Sequence, residues 1–316
     1  MKLFKLAALV IFLQWGLLFY LLHDKRDSNE APRVDDSRST YDGVAACLML
    51  KRPRWYYKRY NALLHNALSN IPTTWALQLF VDDTFWQKEL LVYHRGLPRL
   101  LKNPRVKITL LPDGLRNKKP NVVWRDRWIW EHVVADRVLT FNGDGVLCSN
   151  SQRSWEDLVG LDYLGVPWSD GDGGDGTTHS VRLASSMLAA LDYKPSGGHR
   201  RHDKFLVQTL QEMNRDKGTS YQIANAEQTE WFGGTRNLQY PNGTLRMDSS
   251  WGPMVVTGTQ ADLSQEARNW IMGVCPEIKA IYPSLHHPAC FGARPNETQC
   301  AESLGFTTCV ASASTP

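Results

Sequence analysis

The chain has 316 residues, of which 42% are hydrophobic and 22% charged, with 23 Gly and 16 Pro. Those proportions exclude collagenous, low-complexity and wholly disordered classes, and the length suffices for one large α/β domain or two smaller ones. The 36 basic and 32 acidic residues leave a net charge of +4, spread along the chain rather than gathered in a stripe, so no nucleic acid is expected as a partner.

At the N-terminus, Lys2 and Lys5 precede an apolar run from Leu6 to Leu22 interrupted only by Gln14 and Gly16. As a helix this run would extend roughly 25 Å, within reach of a hydrocarbon core once Leu3 and Phe4 are added. A cleaved signal would carry a shorter apolar region and small residues at its cut, whereas Leu21 and Leu22 run directly into His23, Asp24, Lys25 and Arg26. The expectation is an uncleaved transmembrane anchor over residues 1–23, set against a cleaved signal or a buried core helix. Basic residues on the two flanks nearly balance, so the positive-inside count does not orient it. The polar stretch at 24–40 reads as a solvated stalk. Anchor, stalk and a large domain at 41–316 make the layout of a single-pass type II protein of the Golgi or endoplasmic reticulum membrane, with the large domain lumenal.

Cysteine usage agrees with that placement. Four of the six cysteines, Cys275, Cys290, Cys300 and Cys309, crowd the last 42 residues, and two disulfides within that tail are expected of an oxidising lumen. Buried thiols are the plain alternative, and no C-x-x-C pair calls for zinc. The glycosylation sequons Asn242-Gly243-Thr244 and Asn296-Glu297-Thr298 are compatible with the lumen, but they are no more numerous than chance provides.

From residue 41 short β-like runs alternate with amphipathic stretches. Val44 to Leu50 reads as a strand, Trp55 to Leu68 as a helix and Trp75 to Val81 as a strand. Phe85 to Tyr93 reads as a helix, Val106 to Leu111 as a strand, Trp124 to Val134 as a helix and Val138 to Phe141 as a fourth strand. Regular succession of strand and helix predicts an α/β fold with a mainly parallel sheet covered on both faces, its ligands beyond the carboxyl ends of the strands. No G-x-G-x-x-G or P-loop follows any of these strands, which disfavours an ordinary dinucleotide enzyme or P-loop kinase.

Chemistry enters after the fourth strand, where Val138-Leu139-Thr140-Phe141 runs into Asn142-Gly143-Asp144-Gly145. One carboxylate, Asp144, stands at a strand end between two glycines that would let backbone approach a phosphate. Transfer of a sugar from a nucleotide diphosphate needs a carboxylate at such a place, because Mg²⁺ or Mn²⁺ must neutralise the diphosphate as it leaves. The plain alternative is a turn, since Asn, Gly and Asp suit positive φ. Downstream come Asp162-Tyr163-Leu164-Gly165-Val166-Pro167-Trp168, a glycine-rich stretch, and His179-Ser180-Val181-Arg182-Leu183-Ala184-Ser185. The run Asp170-Gly171-Asp172-Gly173-Gly174-Asp175-Gly176 has the wrong spacing for an EF-hand and reads as a flexible loop over the donor site. Trp168 and Trp251, each beside Pro or Gly, are the indoles expected to be exposed for stacking on sugar rings.

These segments resemble an uncharacterised fungal family, the domain of unknown function numbered 5672, regarded as glycosyltransferase-like. Its pattern is F-Q-T-D-S-x-L-C, then D-Y-I-G-A-P-W, then a Gly-Asn-Gly-Gly loop leading to F-S-L-R-S-R. The resemblance continues at Cys275-Pro276-Glu277 and from Pro283 to Ala293, and it covers roughly residues 43 to 305. It departs where Asn142-Gly143-Asp144-Gly145 replaces Q-T-D-S and where His202-Asp203-Lys204-Phe205 replaces E-D-x-F. Carried over residue by residue, it implies a GT-A-like fold, Asp144 and Arg182 at a nucleotide-sugar donor, and Asp203 as catalytic base; Asn142 and Gly143 do not match the family pattern and are expected beside the donor from the strand-end turn that holds Asp144. A base is required in an inverting transfer, where an acceptor hydroxyl loses its proton as it attacks. Asp144 and His286 are the expected ligands of a divalent metal. The expected function is transfer of a sugar from a nucleotide-diphosphate donor to a hydroxyl of a glycan or glycoprotein acceptor. The alternatives are a catalytically silent carbohydrate-binding or scaffold protein on the same fold and a secreted metal-dependent hydrolase.

Overall fold

The computed structural model describes residues 40–50, 54–83, 86, 97–143, 145–167, 173–194, 201–233, 252–257 and 265–281. The chain divides into two units, Met1–Asp36 and Ser37–Pro316, and the description concerns the second. The expected anchor, the expected Phe85 to Tyr93 helix apart from Trp86, Asp144, Trp168, Trp251, His286 and the last three cysteines lie outside the described residues. Among the described residues no helix is long and apolar enough to cross a membrane.

The elements in chain order are β1 (Gly43–Met49), α1 (Arg54–Asn70), β2 (Trp75–Val81), α2 (Leu97–Leu100) and β3 (Val106–Leu110). Next come α3 (Asp113–Arg116), α4 (Pro120–Val123), α5 (Arg127–Glu131), β4 (Arg137–Phe141) and β5 (Gly145–Leu147). After a 3₁₀ turn at Trp155–Leu158 follow β6 (Tyr163–Val166), β7 (Asp175–Leu183), α6 (Ala184–Tyr193), α7 (His202–Lys217) and α8 (Ala226–Phe232). The described chain ends with β8 (Val255–Thr257), α9 (Gln265–Val274) and α10 (Ile278–Ile281).

Six strands form one sheet in the order β3-β2-β1-β4-β7-β6, and β5 pairs with β8 in a separate ribbon. β3, β2, β1 and β4 are mutually parallel, whereas β7 runs antiparallel to both β4 and β6. The expected mainly parallel α/β sheet is therefore present, with an antiparallel strand inserted beside β4.

The four strands expected from apolar runs are present with ends shifted by one residue at most, for a simple reason. β1 is Gly-Val-Ala-Ala-Cys-Leu-Met, buried at every position, and a central parallel strand covered on both faces requires such a continuous run. Its odd residues Ala45, Cys47 and Met49 pack with Leu63 and Leu64 of α1, while Val44, Ala46 and Leu48 face Trp124, Trp130 and the α7 side chains Phe205 and Leu206. β2 buries one polar side chain, Gln78, and satisfies it. Its Nε2 donates to Thr109 Oγ1 at 2.8 Å and to the His132 carbonyl at 2.7 Å, and its Oε1 accepts from Val134 N–H at 3.0 Å.

Three expectations are corrected. The helix expected at Trp124 to Val134 is only the short α5 at Arg127–Glu131, because α4 has already ended at Val123 and the Asp126 carboxylate, accepting from Trp128 N–H at 3.0 Å, starts a new helix after it. The glycine-rich stretch read as a flexible loop ends in strand, since Asp175 to Thr178 belong to β7. Cys275 is joined to Cys148, 127 residues away, and not to another cysteine of the tail.

Candidate functional site

In an open parallel sheet the ligand crevice lies where the strand order reverses. Here the chain proceeds outward from β1 to β2 and β3, then returns to β4 on the other side of β1, so the crevice is predicted beyond the ends of β1 and β4. A pocket lies there, lined among others by Leu48 at the end of β1, Asn142 just after β4, Tyr60, Trp124 and the β7 residues Gly176 and Thr178.

Asn142 does structural work at this point. Its Nδ2 donates to the Thr177 carbonyl at 2.8 Å, tying the end of β4 to the start of β7. Gly143 is buried beside it, and Asp144, the expected metal carboxylate, lies outside the described residues.

Behind the pocket wall sits Arg182, fully buried in β7. Its Nε donates to Ser180 Oγ at 2.8 Å and one terminal nitrogen, Nη2, donates to the Gly176 carbonyl at 3.0 Å. The same nitrogen donates to His202 Nε2 at 2.8 Å, and His202 Nδ1 is 2.7 Å from Asn121 Oδ1, which fixes the neutral ring with its proton on Nδ1. The guanidinium lies 5.2 to 6.0 Å from the ring centres of Tyr163, Trp130 and Trp124, a cation–π cage. Its Nη1 has no hydrogen-bond partner among the described residues. Burial lowers the pKa of Arg182 and raises that of the Tyr163 phenol. Burial, and after it the Arg182 charge, hold the His202 imidazole well below its ordinary value.

Asp203 is brought to the same wall. It is fully buried in the first turn of α7, accepts from Gly176 N–H at 3.2 Å and from Arg201 Nε at 3.1 Å, with a further short bond from Arg201 Nη2. Arg201 also reaches Asp175 Oδ2 at 2.9 Å. Burial alone would raise the Asp203 pKa, but the Arg201 hydrogen bonds and the charges beside it bring it below the usual carboxylate range. Asp203, the expected general base, is thus held as an ionised carboxylate by Arg201 and the Gly176 N–H. The same geometry positions the pocket wall: Asp203 and Asp175, clamped by one guanidinium, fix the backbone of Gly176 and Thr177.

Glycine is required at two points of this wall. A Cβ on Gly176 would lie 2.3 Å from Tyr163 Oη and 2.4 Å from Arg182 Nη2, and one on Gly174, whose φ is +78°, would lie 2.5 Å from the Gly165 carbonyl. On the opposite face of β7, His179 is buried with no partner for either ring nitrogen among the described residues, and burial lowers its pKa to about 3. It packs against Gly145, where a Cβ would meet the imidazole at 2.4 Å.

The structure thus brings Asn142, Gly143, Arg182 and Asp203 to one place. It adds Arg201, His202, Asp175 and Gly176, which sequence reading did not mark as site residues. The one local signal was Arg201 two residues before a carboxylate at a helix start. Among the described residues no group of three or more His, Cys, Asp or Glu is arranged to hold a metal ion. Asp175 and Asp203 are both engaged by Arg201, so the described residues do not by themselves fit a metal centre.

No protein-family model matches the chain, and no curated protein matches it in sequence. Among solved structures, the apo form of the glycosyltransferase GlyE from Streptococcus pneumoniae TIGR4 is similar to this chain with a TM-score of 0.30 and 15% identity, over 58% of this chain and 45% of that one. The match therefore spans less than half the length of that protein.

Proposed function

We propose that the chain is a glycosyltransferase whose nucleotide-sugar donor sits in the pocket at the ends of β1 and β4. The observation that carries this reading is the position of the pocket at the reversal of strand order, with Asn142 and the Gly176–Thr178 backbone of β7 forming its walls. In this reading Arg182, held in its aromatic cage, supplies positive charge behind the wall that an anionic diphosphate faces, and Arg201, Asp175 and Asp203 hold the wall rigid.

A divalent metal, Mn²⁺ or Mg²⁺, enters the proposal through Asp144 and His286. When bound it would neutralise charge on the leaving diphosphate. The type II topology, with the catalytic domain in the lumen of the Golgi or endoplasmic reticulum and glycans or glycoproteins as acceptors, is proposed with it.

A thermal-shift series of the full chain against nucleoside diphosphates, with and without Mn²⁺, tests the reading, because a ligand that binds only the folded state stabilises it in proportion to the logarithm of its concentration over Kd. Metal-dependent stabilisation is expected, and Asp144→Asn should weaken it, since an amide is a poorer ligand for a hard cation than a carboxylate.

One observation favours a second reading, a catalytically silent carbohydrate-binding protein: Asp203, the expected base, is buried and ion-paired to Arg201. Saccharide binding without nucleotide binding would decide for it.

A further inference from the structure

The two outer edges of the six-stranded sheet differ. Beyond β6 the chain adds a further row of its own: Asp162 and Tyr163 N–H donate to the Gln222 carbonyl, at 2.8 and 3.3 Å, and Ala224 N–H donates to the Tyr163 carbonyl at 2.9 Å. β3, at the other edge, has no such cover among the described residues, and all of it but Thr109 is half-buried. Leu77 N–H donates to the Arg105 carbonyl and Leu111 N–H to the Val81 carbonyl, both at 2.9 Å. By the two-residue period of a strand, Lys107 and Thr109 therefore turn their backbone groups to β2, and Val106, Ile108 and Leu110 turn theirs outward. Val106 N–H donates to the Asn103 carbonyl at 2.9 Å, whereas the N–H and carbonyl of Ile108, at the centre of the edge, bond no described residue.

This edge is also basic. From Leu97 to Pro112 the chain carries Arg99, Lys102, Arg105 and Lys107 and no acidic residue, so the basic excess expected to be spread along the chain is gathered here. None of the four forms an ion pair with a carboxylate among the described residues. Arg105 donates to the carbonyls of Pro72, Trp75 and Leu68, at 2.9, 3.3 and 3.1 Å. The Lys107 ammonium lies 5.4 Å from the centre of the Tyr41 ring, and Arg99 and Lys102 are exposed. Neither carbonyls nor a ring face cancels their net charge.

We propose that β3 takes up an extended acidic segment of a partner protein as an added strand. Main-chain bonds to Ile108 supply affinity, and the two faces of the edge supply sequence preference. Val106, Ile108 and Leu110 lie on one face, at the margin of the core, and Lys107 and Thr109 lie on the other. The strand that fits alternates apolar residues with Glu or Asp, its carboxylates on the Lys107 face. A second copy of this chain fits poorly, since pairing β3 with itself would bring two basic clusters together. β2 separates β3 from the strands whose ends hold the pocket, so the proposal does not depend on the transferase reading.

The test is fluorescence anisotropy of a labelled, end-capped peptide of alternating glutamate and valine, titrated with the full chain. Saturable binding that weakens with added salt is expected. A lysine–valine peptide should not bind, nor should a peptide with the same glutamates and valines arranged in two blocks. Lys107→Glu should weaken binding roughly tenfold, the equivalent of about 1.4 kcal/mol. Ile108→Pro removes an outward N–H and no bond to β2, so it should abolish binding. If circular dichroism shows that Ile108→Pro does not fold, Lys107→Glu and the block peptide decide between them. Nucleoside-diphosphate binding, measured in parallel, should be unchanged in both variants, which separates failure of the edge from failure of the donor pocket. No binding of the alternating peptide, equal binding of the block peptide, or binding that both variants leave intact would each overturn the proposal. Binding lost in Lys107→Glu but kept by a folded Ile108→Pro would overturn it too, since that is an anion patch without strand pairing.

Discussion

Arg201 clamps two carboxylates, and it is the more exposed member of the set. Removing it leaves Asp203 buried as an uncompensated charge, so Arg201→Met should destabilise the fold by about 3 kcal/mol and raise the pKa of Asp203, with Arg201→Met combined with Asp203→Asn recovering part of the loss. Urea unfolding of the two single variants and the double variant measures this. Additive losses would show that the clamp is not a unit. Asp203 itself was legible from the sequence as a residue of interest, but its chemistry was not. The groups that set it, Gly176 and Arg201, belong to a strand 27 residues upstream and to the residue before the helix, and only folding brings the strand to it. The buried histidines give a second test. His179 has an ordinary value of 6.5 and is held near 3 in the fold, and His202 is lowered in the same direction. Each binds a proton more readily unfolded than folded, so their contribution is fully present above about pH 6.5 and is lost as pH falls toward 3, at roughly 1.4 kcal/mol per pH unit for each imidazole. The urea midpoint should therefore decline between pH 7 and pH 5, before ordinary carboxylates titrate, and His179→Gln should flatten the slope. A midpoint constant over that range would contradict the burial of both rings.

Among the elements, the parallel strands were the legible part, because a central strand buried on both faces writes itself as an uninterrupted apolar run such as Val44 to Met49. β7 was not legible. Its first residues, Asp175-Gly176-Thr177-Thr178, are polar or glycine because they wall a pocket, so their pattern carries turn chemistry rather than burial. β5 and β8, three residues each, are too short for periodicity to mark. Cysteine clustering pointed to the tail, whereas the bond seen runs from Cys275 to the end of β5. A cross-link closing so long a loop, 127 residues, restricts the unfolded chain strongly, and Cys148→Ser should cost about 5 kcal/mol on the chain-entropy model. Peptide mapping without reduction should recover the Cys148–Cys275 pair. Recovery of Cys275 joined to Cys290, Cys300 or Cys309 would contradict the present pairing and restore the tail-confined one.

Taken whole, the second unit joins two features directly: the reversal of strand order between β1 and β4, and the β5–β8 ribbon that follows β4 in the chain. Fold class was readable from the alternation of strands and helices, and the Asn142-Gly143-Asp144-Gly145 turn marked the end of β4, whereas the pocket between the ends of β1 and β4 depends on strand order, which no local pattern encodes. The proposed topology has its own check. A tag at the C-terminus should resist protease in intact microsomes and be digested once detergent is added, and digestion without detergent would reverse the orientation. Nucleotide binding at the strand-order reversal is the most direct test of function. Titration of the full chain with a nucleoside diphosphate in Mn²⁺ should show saturable binding that Asp144→Asn and Asn142→Ala both weaken. No binding to the unmodified chain, or binding indifferent to Asn142 and Asp144, would contradict a donor site at the ends of β1 and β4.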